Sequence, residues 1–417
     1  MKILILSDNY PPEMNANARI VSELAKYWQP QVEKVSVITS HPNFPKGKLF
    51  ENHKNKWIVR NNEKDIHVIR LKTYLYKNDG FIRRSLDFLS FGVNAFIYGI
   101  FKKKDDIIIG VSPQLFCALS ACLIAQLVKK DFVLILCDLW PDSILHTGNL
   151  KKGLVFNLLK KIENYMYKKA SLIATLSPNY TNYLTENGIC DKKILTSISG
   201  VDQNFYPREK NKNIISKYNL HNKFVIAYIG NFGVAQNHRD ILDIANMWQK
   251  NKNSQLHFLM IGDGVNREKL VNECKQLNLK NVTIDGPFDG ESIPEYWSVS
   301  DIALVTLADI QTNATVIPSK MLESMAMAKP LVLYAPHGEA KKFLEQSKAG
   351  IFVEVGNKQA LKNSFEKLKN DQELINDFAE NAFLFSKQYT RENQATKLLK
   401  AINLARKNKK HNEKIYE

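Results

Sequence analysis

The sequence predicts two doubly wound α/β domains facing a cleft, and three observations lead to this prediction. Short apolar runs alternate with amphipathic helical segments along most of the 417 residues. Apolar runs without polar interruption are typical of parallel strands that are buried on both faces of a sheet. The alternation comes in two series, and the polar stretch between them, residues 203–223, marks a domain boundary.

The first series predicts an N-terminal domain over residues 1–205. A buried strand, KILILSD, is followed by an amphipathic helix, ARIVSELAKYW, and a second strand, KVSVITS. The pattern continues with DIIIGVS, a helix at 114–128, FVLILCD, SLIATLS and a helix at 179–187.

The second series predicts another domain of the same kind over residues 206–385. Its strands are FVIAYIGN, LHFLMIGDG, VTIDGPF, DIALVTL, LVLYA and GIFVEV. A Lys-rich helical tail follows at 386–417. Ligands of doubly wound sheets bind beyond the carboxyl ends of the strands, so we expect functional residues in the loops that follow them.

The formal net charge of +16 favours an anionic partner, such as nucleic acid, anionic lipid or a phosphorylated ligand. The alternative is a Lys-rich surface without a dedicated partner. The basic residues are scattered and no recognition helix or base-stacking motif is present, which argues against nucleic acid. Five cysteines without a C-x-x-C pair fit a reducing cytoplasm, and the short apolar run after Met1 indicates a strand rather than a signal peptide.

Segment 81–104, FIRRSLDFLSFGVNAFIYGIFKKK, combines aromatic residues with basic flanks. This composition suits a helix that lies in the interface of an anionic membrane, although a helix packed on its own domain is the alternative. No apolar run reaches the roughly 20 residues of a spanning helix. We therefore expect a cytoplasmic protein that is peripheral on the inner face of the cytoplasmic membrane.

Segment 317–330, IPSKMLESMAMAKP, predicts a helix whose first turn binds an anion. Pro318 suits the start of a helix, where the free N–H groups and the dipole favour negative charge. Ser319 and Lys320 add a hydroxyl donor and a positive charge there. Glu323 follows one turn later on the same face, where a carboxylate suits the two adjacent hydroxyls of a ribose. The segment fits a nucleoside diphosphate; the alternative is a capped core helix with a surface Lys–Glu pair.

Two glycine turns at the ends of consecutive strands are expected to line that same pocket. Gly230 and Gly233 lie between a strand and a helix, where glycine lets the backbone approach a phosphate. Gly262, Asp263 and Gly264 end the next strand. Loop geometry alone also accounts for glycines at such positions.

Loops of the first domain are expected to hold an acceptor. CDLWPDS places Asp138, Trp140 and Asp142 after a strand, where a carboxylate can bind a hydroxyl or accept its proton. The alternative is an Asp-capped turn with Trp140 in a packed wall, and His146 beyond it fits a surface helix. Two further loops, NYPPEMNANAR and HPNFPKGK, contribute the acceptor-binding candidates Glu13, Asn15, Asn17 and His41.

The chain contains no H-x-x-x-H, Cys-rich, P-loop or D-x-D motif. We therefore expect no metal site and no bound cofactor, with the nucleotide ligand acting as a co-substrate.

The ordered set of motifs resembles glycosyltransferase family 4 over nearly the whole chain. The motifs are NYPPE, HPNFP, DLWPDS, GN-x-G-x-AQ at 230–236, GDG at 262–264 and PSK-x-x-E at 318–323. The resemblance implies the GT-B fold, with two doubly wound Rossmann-like domains facing a cleft, and sugar transfer from a nucleotide donor with retention of configuration. The branch that it resembles contains bacterial O-antigen and capsule enzymes similar to L-N-acetylfucosamine transferases.

The resemblance assigns Glu323 to the donor ribose and the start of its helix to the diphosphate. Asn231 and Gln236 stand where many members carry a cationic pair, so Lys320 or Arg239 must supply the charge. The implied donor-binding set is Gly230, Asn231, Gly233, Gln236, Asp263, Gly264, Pro287, Thr315, Ser319, Lys320 and Glu323. The implied catalytic set is Asp138, Asp142 and Lys320. Thr315 replaces the first Glu of the family's E-x7-E signature, which leaves the donor sugar open.

The hypothesis from sequence is a membrane-associated glycosyltransferase. Its donor is a UDP-sugar whose sugar is an N-acetylated deoxyhexosamine, and its acceptor is a polyprenyl-diphosphate-linked saccharide. The implied mechanism is a front-face displacement in which helix-end N–H groups and Lys320 stabilise the leaving diphosphate. Two alternatives stay open: a UDP-sugar 2-epimerase of the same two-domain fold, and a nucleic-acid-binding protein.

Overall fold

A computed structural model describes residues 1–13, 15–44, 47–75, 81–142, 152–198, 200–250 and 255–415. The chain divides into two compact units. Unit 1 comprises Met1–Ser199 and Glu392–Glu417, and unit 2 comprises Gly200–Arg391. The sequence placed the first boundary after residue 205, slightly later than the division that the structure shows.

Unit 1 is built on an eight-stranded sheet. Its strands are β1 (Lys2–Leu6), β2 (Lys34–Ser40), β3 (Ile58–Glu63), β4 (Ile66–Leu71), β5 (Ile107–Val111), β6 (Asp131–Leu136), β7 (Leu172–Thr175) and β8 (Ile194–Thr196). They are ordered β3-β4-β2-β1-β5-β6-β7-β8. Neighbouring strands pair in parallel, except that β3 pairs antiparallel with β4 at the edge.

Helices cover both faces of this sheet. They are α1 (Ala16–Trp28), α2 (Phe81–Gly99), α3 (Leu115–Leu127), α4 (Leu154–Lys169) and α5 (Pro178–Glu186). The alternation of side chains along β1 shows why the strand is apolar throughout: Leu4 and Leu6 belong to the core cluster on the α3 side, whereas Ile3 and Ile5 belong to the cluster on the α1 side. The helices predicted at 114–128 and 179–187 are confirmed as α3 and α5.

The C-terminal helix returns to unit 1 instead of forming the separate tail expected at 386–417. It follows the helices of unit 2 and is α14 (Arg391–Ile415). Leu398, Leu399 and Ile402 are buried in the α1-side cluster of unit 1. Trp28 donates its indole N–H to Ala395 O at 2.8 Å. The apolar residues at helical spacing explain the difference, because they need a core to cover them.

Unit 2 is a second, all-parallel sheet of six strands. Its strands are β9 (Phe224–Ile229), β10 (Leu256–Ile261), β11 (Val282–Asp285), β12 (Ile302–Thr306), β13 (Leu331–Ala335) and β14 (Gly350–Glu354). Its helices are α6 (Lys212–Lys217), α7 (Arg239–Gln249), α8 (Arg267–Gln276), α9 (Ile293–Ser298), α10 (Ser319–Ala326), α11 (Glu339–Ser347), α12 (Lys358–Asn370) and α13 (Gln372–Ser386).

The strand order of unit 2, β11-β10-β9-β12-β13-β14, reverses direction between β9 and β12. At such a switch point the loops after the two strands diverge and leave a crevice at the carboxyl edge. The glycine turn after β9 and the segment between β12 and α10 both begin here. Among the helices that the structure describes, none combines the length and apolarity required to cross a bilayer.

Candidate functional site

Helix α10 begins at the predicted residue, and its apolar side is buried in unit 2. Pro318 has extended backbone geometry and precedes the first helical residue, Ser319, whose side chain is exposed. Met321 and Met325 are fully buried, which fixes the rotation of the helix. Glu323 is half-buried, one turn after Ser319. The segment is therefore a core helix whose first turn still presents polar groups.

Lys320 is buried beneath the start of that helix, with 9% of its surface exposed. Its ammonium donates to Tyr228 Oη at 2.9 Å and to Gln236 Oε1 at 3.3 Å. The Nζ atom also lies 4.2 Å from the centroid of the Tyr228 ring. Burial lowers the pKa of Lys320 to about 7, although Glu323 opposes the change. The lysine thus lies at the end of β9 with neutral oxygens as its hydrogen-bond partners.

The backbones of the turns after β9, β10 and β11 pack closely against one another at their glycines. Gly230, Gly262 and Gly286 have φ angles of 151°, 153° and 108°, which side chains rarely adopt. A Cβ on Gly262 would lie 1.8 Å from Gly230 O, and one on Gly286 would lie 3.0 Å from Gly262 N. A Cβ on Gly230 would lie 3.1 Å from Lys320 Nζ. Sequence reasoning missed Gly286, although it ends the third strand as the other glycines end theirs.

The predicted donor residues of these turns lie close together. A Cβ on Gly264 would lie 2.4 Å from Asn231 Oδ1, and one on Gly233 would lie 2.9 Å from Asn231 Nδ2. The Asn231 side chain therefore touches the backbone of both turns. Asp263 is exposed. Pro287, also exposed, follows Gly286 through a cis peptide bond.

The segment after β12 is tied to the β9 turn. Asn313 is buried, and its side-chain amide donates to Ala235 O at 2.9 Å and to Ala308 O at 2.8 Å. A Cβ on Gly338, at the start of α11, would lie 2.2 Å from Ala314 O. Thr315 follows at once and is half-buried. The structure thus fixes the Thr315 backbone beside the glycine turns; sequence reasoning did not identify the amide of Asn313.

His238 is a second residue that sequence reasoning missed. It is 3% exposed, and its ring lies edge-on to Tyr228 and Phe232 at centroid distances of 4.8 and 5.2 Å. Neither ring nitrogen has a hydrogen-bond partner among the described residues. Burial, with a contribution from Lys320, lowers the pKa of His238 to about 3. The imidazole is therefore neutral and packs against the ring of Tyr228.

In unit 1, the carboxylates of the CDLWPDS turn have protein partners. Ser112 Oγ donates to Asp138 O at 3.1 Å, and Asp138 Oδ1 accepts from the N–H of Leu139 at 2.8 Å. Asp142 forms an ion pair with Lys160 of α4. Trp140 is 8% exposed and belongs to the core cluster on the α3 side. These contacts agree with the alternative interpretation of the sequence, an Asp-capped turn with Trp140 in a packed wall, rather than with an open loop that faces a substrate.

The acceptor-binding candidates of the other two loops mainly stabilise those loops. Glu13 is buried; its Oε1 accepts from the N–H groups of Asn43 and Phe44 at 2.7 and 2.8 Å, and its Oε2 accepts from Asn9 Nδ2 at 2.8 Å. Glu13 therefore joins the NYPPE loop to the HPNF loop. Sequence reasoning had no signal for this pairing, because it spans distant parts of the chain.

The remaining candidates have local roles or lie elsewhere. Asn15 caps α1 by accepting from Ala18 N at 2.9 Å, and Asn17 is half-buried in the first turn of the same helix. His41 is buried with Nε2 2.9 Å from Lys56 O, and burial lowers its pKa. His146 lies outside the described residues. Among the described residues, no three His, Cys, Asp or Glu side chains are grouped in a way that could hold a metal ion.

Residues 210–385 match the family model of glycosyl transferases group 1. The chain is 26% identical over 344 residues to the putative colanic acid biosynthesis glycosyl transferase WcaI of Escherichia coli, covering 80% of this chain and 83% of that protein. It is 27% identical over 214 residues to the putative teichuronic acid biosynthesis glycosyltransferase TuaH of Bacillus subtilis, covering 50% and 52%. The crystal structure of Anabaena HepE in complex with UDP superposes with a TM-score of 0.69 at 16% identity, covering 97% of this chain and 100% of that one. At that identity the likeness shows the fold.

Proposed function

We propose that the chain, whose residues 210–385 match the model of glycosyl transferases group 1, is a family 4-type glycosyltransferase that transfers a sugar from UDP to a polyprenyl-diphosphate-linked saccharide, with retention of configuration. The sugar that we propose is an N-acetylated deoxyhexosamine, and the product belongs to a surface polysaccharide such as O-antigen or capsule. The relatives named for colanic and teichuronic acid biosynthesis support polysaccharide synthesis as the setting. The observation that carries the proposal is the buried Lys320 beneath the first turn of α10.

The surroundings of Lys320 favour a diphosphate as the ligand of this turn. Its hydrogen-bond partners, Tyr228 and Gln236, are neutral, so the ammonium gains more from a bound anion than it would from a site already paired with a carboxylate. The first turn of α10 adds N–H groups that have no partner within the helix. Anabaena HepE was solved with UDP, which supports UDP as the nucleotide.

The ribose is assigned to Glu323 and the leaving group to Lys320. Glu323 lies one turn after Ser319 and is close enough to Lys320 to affect its pKa. A carboxylate accepts hydrogen bonds from both ribose hydroxyls. As the bond to the sugar breaks, negative charge builds on the β-phosphate, where the Lys320 ammonium and the helix N–H groups stabilise it. The proposal includes no metal cofactor, because these groups supply the positive charge.

The acceptor side is assigned to unit 1, with Asp138 on the turn after β6 as the carboxylate that would contact the acceptor hydroxyl. Its position after a parallel strand supports this assignment, since ligands of such sheets bind at that edge. The front-face mechanism leaves the acceptor proton to the departing phosphate or to Asp138.

We assign a membrane-binding role to the outer face of α2, as part of the same proposal. Leu86, Leu89, Val93 and Ile97 recur at helical spacing and are between 42% and 53% exposed. The opposite face of α2, which includes Phe91, is buried against α3. An exposed apolar stripe of this kind marks an interaction surface rather than a normal solvent-facing helix.

The neighbouring strand edge extends this surface with aromatic and basic side chains. Trp57 is 69% exposed, with the Lys72 ammonium 4.5 Å from the centroid of its ring. Tyr74 is 49% exposed, and its N–H is held by Ser90 Oγ of α2 at 2.8 Å. Lys102–Lys104 follow α2. Aliphatic, aromatic and cationic groups in this arrangement fit the headgroup region of an anionic bilayer.

Calorimetry with UDP tests the donor site. Glu323→Ala is expected to weaken UDP binding by about tenfold, because it removes the hydrogen bonds to the ribose. Glu380→Ala, an exposed carboxylate on α13, is the matched control. An unchanged UDP affinity in Glu323→Ala would contradict the assignment of Glu323 to the ribose. A thermal-shift comparison of UDP, GDP and dTDP sugars then identifies the nucleotide, since a ligand of the folded state raises the melting temperature.

Vesicle sedimentation tests the membrane assignment separately. The double variant Val93→Asp/Ile97→Asp is expected to lose at least about tenfold in affinity for phosphatidylglycerol vesicles, because it puts charge in the apolar stripe. Leu384→Asp, a similarly exposed leucine of unit 2, is the control. Wild-type binding by the double variant would contradict the membrane assignment without affecting the donor-site proposal.

A further inference from the structure

A buried polar node in unit 1 joins three elements around one ammonium. Lys160, on α4, donates to the carboxylate of Asp142, in the turn after β6, and to the hydroxyl of Tyr183, on α5. Its Nζ lies 2.5 Å from Oε2 of Glu163, one turn along α4. Tyr167 donates to the other oxygen of Glu163 at 2.5 Å. One cation therefore holds two carboxylates from separate parts of the chain; we call this group the lysine node.

The lysine node keeps its charges by direct contact. The side chains of Lys160 and Glu163 are 21% and 2% exposed. Burial alone lowers the pKa of Lys160, but the hydrogen bonds to Asp142, Glu163 and Tyr183 outweigh it and raise the pKa above its usual value. The ammonium is therefore permanent at neutral pH. The Asp142 carboxylate is thus already engaged by an ammonium.

The node borders the turn that carries the predicted acceptor-side residues. Trp140, between the two aspartates of the turn, lines a small cavity together with Glu163. The Tyr180 phenol donates to the Asp138 carboxylate at the other end of the turn. The turn is thus held at Asp138 and at Asp142, with the indole packed between them. The attachment through Lys160 is an ion pair.

The geometry points to Lys160 as a positioning residue for sugar transfer: through Asp142 it fixes the 138–142 turn, and Asp142 itself takes no part in the chemistry. This inference rests on the proposed function, because it needs the turn to belong to the acceptor side of the reaction. It moves Asp142 out of the catalytic set predicted from the sequence. Asp138 remains as the carboxylate of the turn with a chemical role.

The position of the turn can be measured through Trp140. In protein labelled with 5-fluorotryptophan, the difference between the ¹⁹F shifts in H₂O and D₂O reports the exposure of each indole, and Trp140→Phe identifies the resonance. Lys160→Met and Asp142→Asn are expected to expose Trp140, whereas Lys160→Arg, which keeps the cation, is expected to match the wild type. UDP affinity by calorimetry should stay unchanged in all of them, so that a failure here is distinct from a failure of the donor-site proposal.

Turnover then separates positioning from chemistry. It is measured with UDP-N-acetylglucosamine as donor and the lipid-linked saccharides of solubilised host membranes as acceptor. Lys160→Met, Asp142→Asn and their double variant are expected to lose the same factor in kcat, about tenfold to hundredfold, because all three release the same turn.

Three results would overturn the inference. The first is a much larger loss in Asp142→Asn than in Lys160→Met, which makes Asp142 a catalytic residue. The second is a lower melting temperature of Lys160→Met and Asp142→Asn together with an unchanged kcat per UDP-binding site. The lysine node would then contribute to stability alone. The third is an unchanged Trp140 exposure in Lys160→Met. This result contradicts the inference even if UDP-N-acetylglucosamine and the lipid-linked saccharides do not support turnover.

Discussion

Two lysines, the buried Lys320 in unit 2 and the half-buried Lys160 in unit 1, meet opposite surroundings. Lys320 is hydrogen-bonded to the neutral oxygens of Tyr228 and Gln236, and burial lowers its pKa to about 7. Lys160 contacts the carboxylates of Asp142 and Glu163, and these partners raise its pKa. Burial penalises both ammonium groups, so the difference comes from the partners. A lysine whose hydrogen bonds go to neutral oxygens is suited to binding an anionic ligand, whereas one that is hydrogen-bonded to carboxylates is suited to a structural role.

The largest effect that tests this comparison is on nucleotide affinity. Lys320→Met is expected to weaken UDP binding by about tenfold to hundredfold, because it removes a charge-assisted hydrogen bond to the diphosphate. Lys160→Met is expected to leave UDP affinity unchanged. Both are measured by calorimetry at pH 7.

A third lysine provides the control for burial itself. Lys329 is half-buried, its ammonium donates to Ser298 O and Ser300 O, and burial lowers its pKa to about 8. It lies before β13, away from the glycine turns. If Lys329→Met weakened UDP binding as much as Lys320→Met does, the effect would reflect general destabilisation of unit 2, and the comparison would fail.

A smaller effect, on pH dependence, sharpens the comparison. The groups that face Lys320 are Tyr228, Gln236, His238 and Glu323; burial keeps the tyrosine and the imidazole neutral. Above pH 7 the free lysine is mostly an amine, and a bound diphosphate favours the ammonium. UDP binding should therefore take up a proton, and affinity should fall by up to about tenfold per pH unit above pH 7.

Calorimetry at pH 8 in buffers of different ionisation enthalpy measures this proton uptake. It should disappear in Lys320→Met and persist in Lys160→Met. The stability of the free protein depends on pH in the opposite direction. The pKa of Lys320 in the folded protein lies below its usual value of 10.5. Between about pH 7 and pH 10.5 the unfolded chain therefore binds more protons than the folded protein. The contribution of this lysine to the stability of the free protein therefore improves as pH rises through that range. Equal proton uptake with and without Lys320 would assign the titration to another group.

The sequence predicted what depends on local patterns. Apolar runs predicted the six strands of unit 2 and five strands of unit 1 but missed β3, β4 and β8. The Pro-Ser-Lys start predicted α10, because periodicity and helix-start signals act within a few residues. The glycine turns were also visible, since they interrupt the pattern at strand ends.

What the sequence did not predict depends on contacts between distant segments. Lys160 and Asp142 belong to different elements, so neither residue type nor spacing revealed that one neutralises the other. The same holds for Glu13, whose partners Asn43 and Phe44 follow the next strand. Lys320 gave a third case: its position suggested an exposed cation, and only the packing of α10 on β9 shows that it is buried. Polar residues in loops are therefore harder to interpret from sequence than apolar residues in strands.

The three glycine turns set limits on which positions around the proposed donor site can be varied. Gly262 excludes a side chain, because its Cβ would lie 1.8 Å from Gly230 O, and the positive φ angles of Gly230 and Gly286 make a side chain there strained. Substitutions at these three positions are therefore expected to destabilise unit 2. Asn231, Gln236 and Thr315 already carry side chains around the same turns, so randomising them changes the chemistry of the pocket while the backbone scaffold is kept.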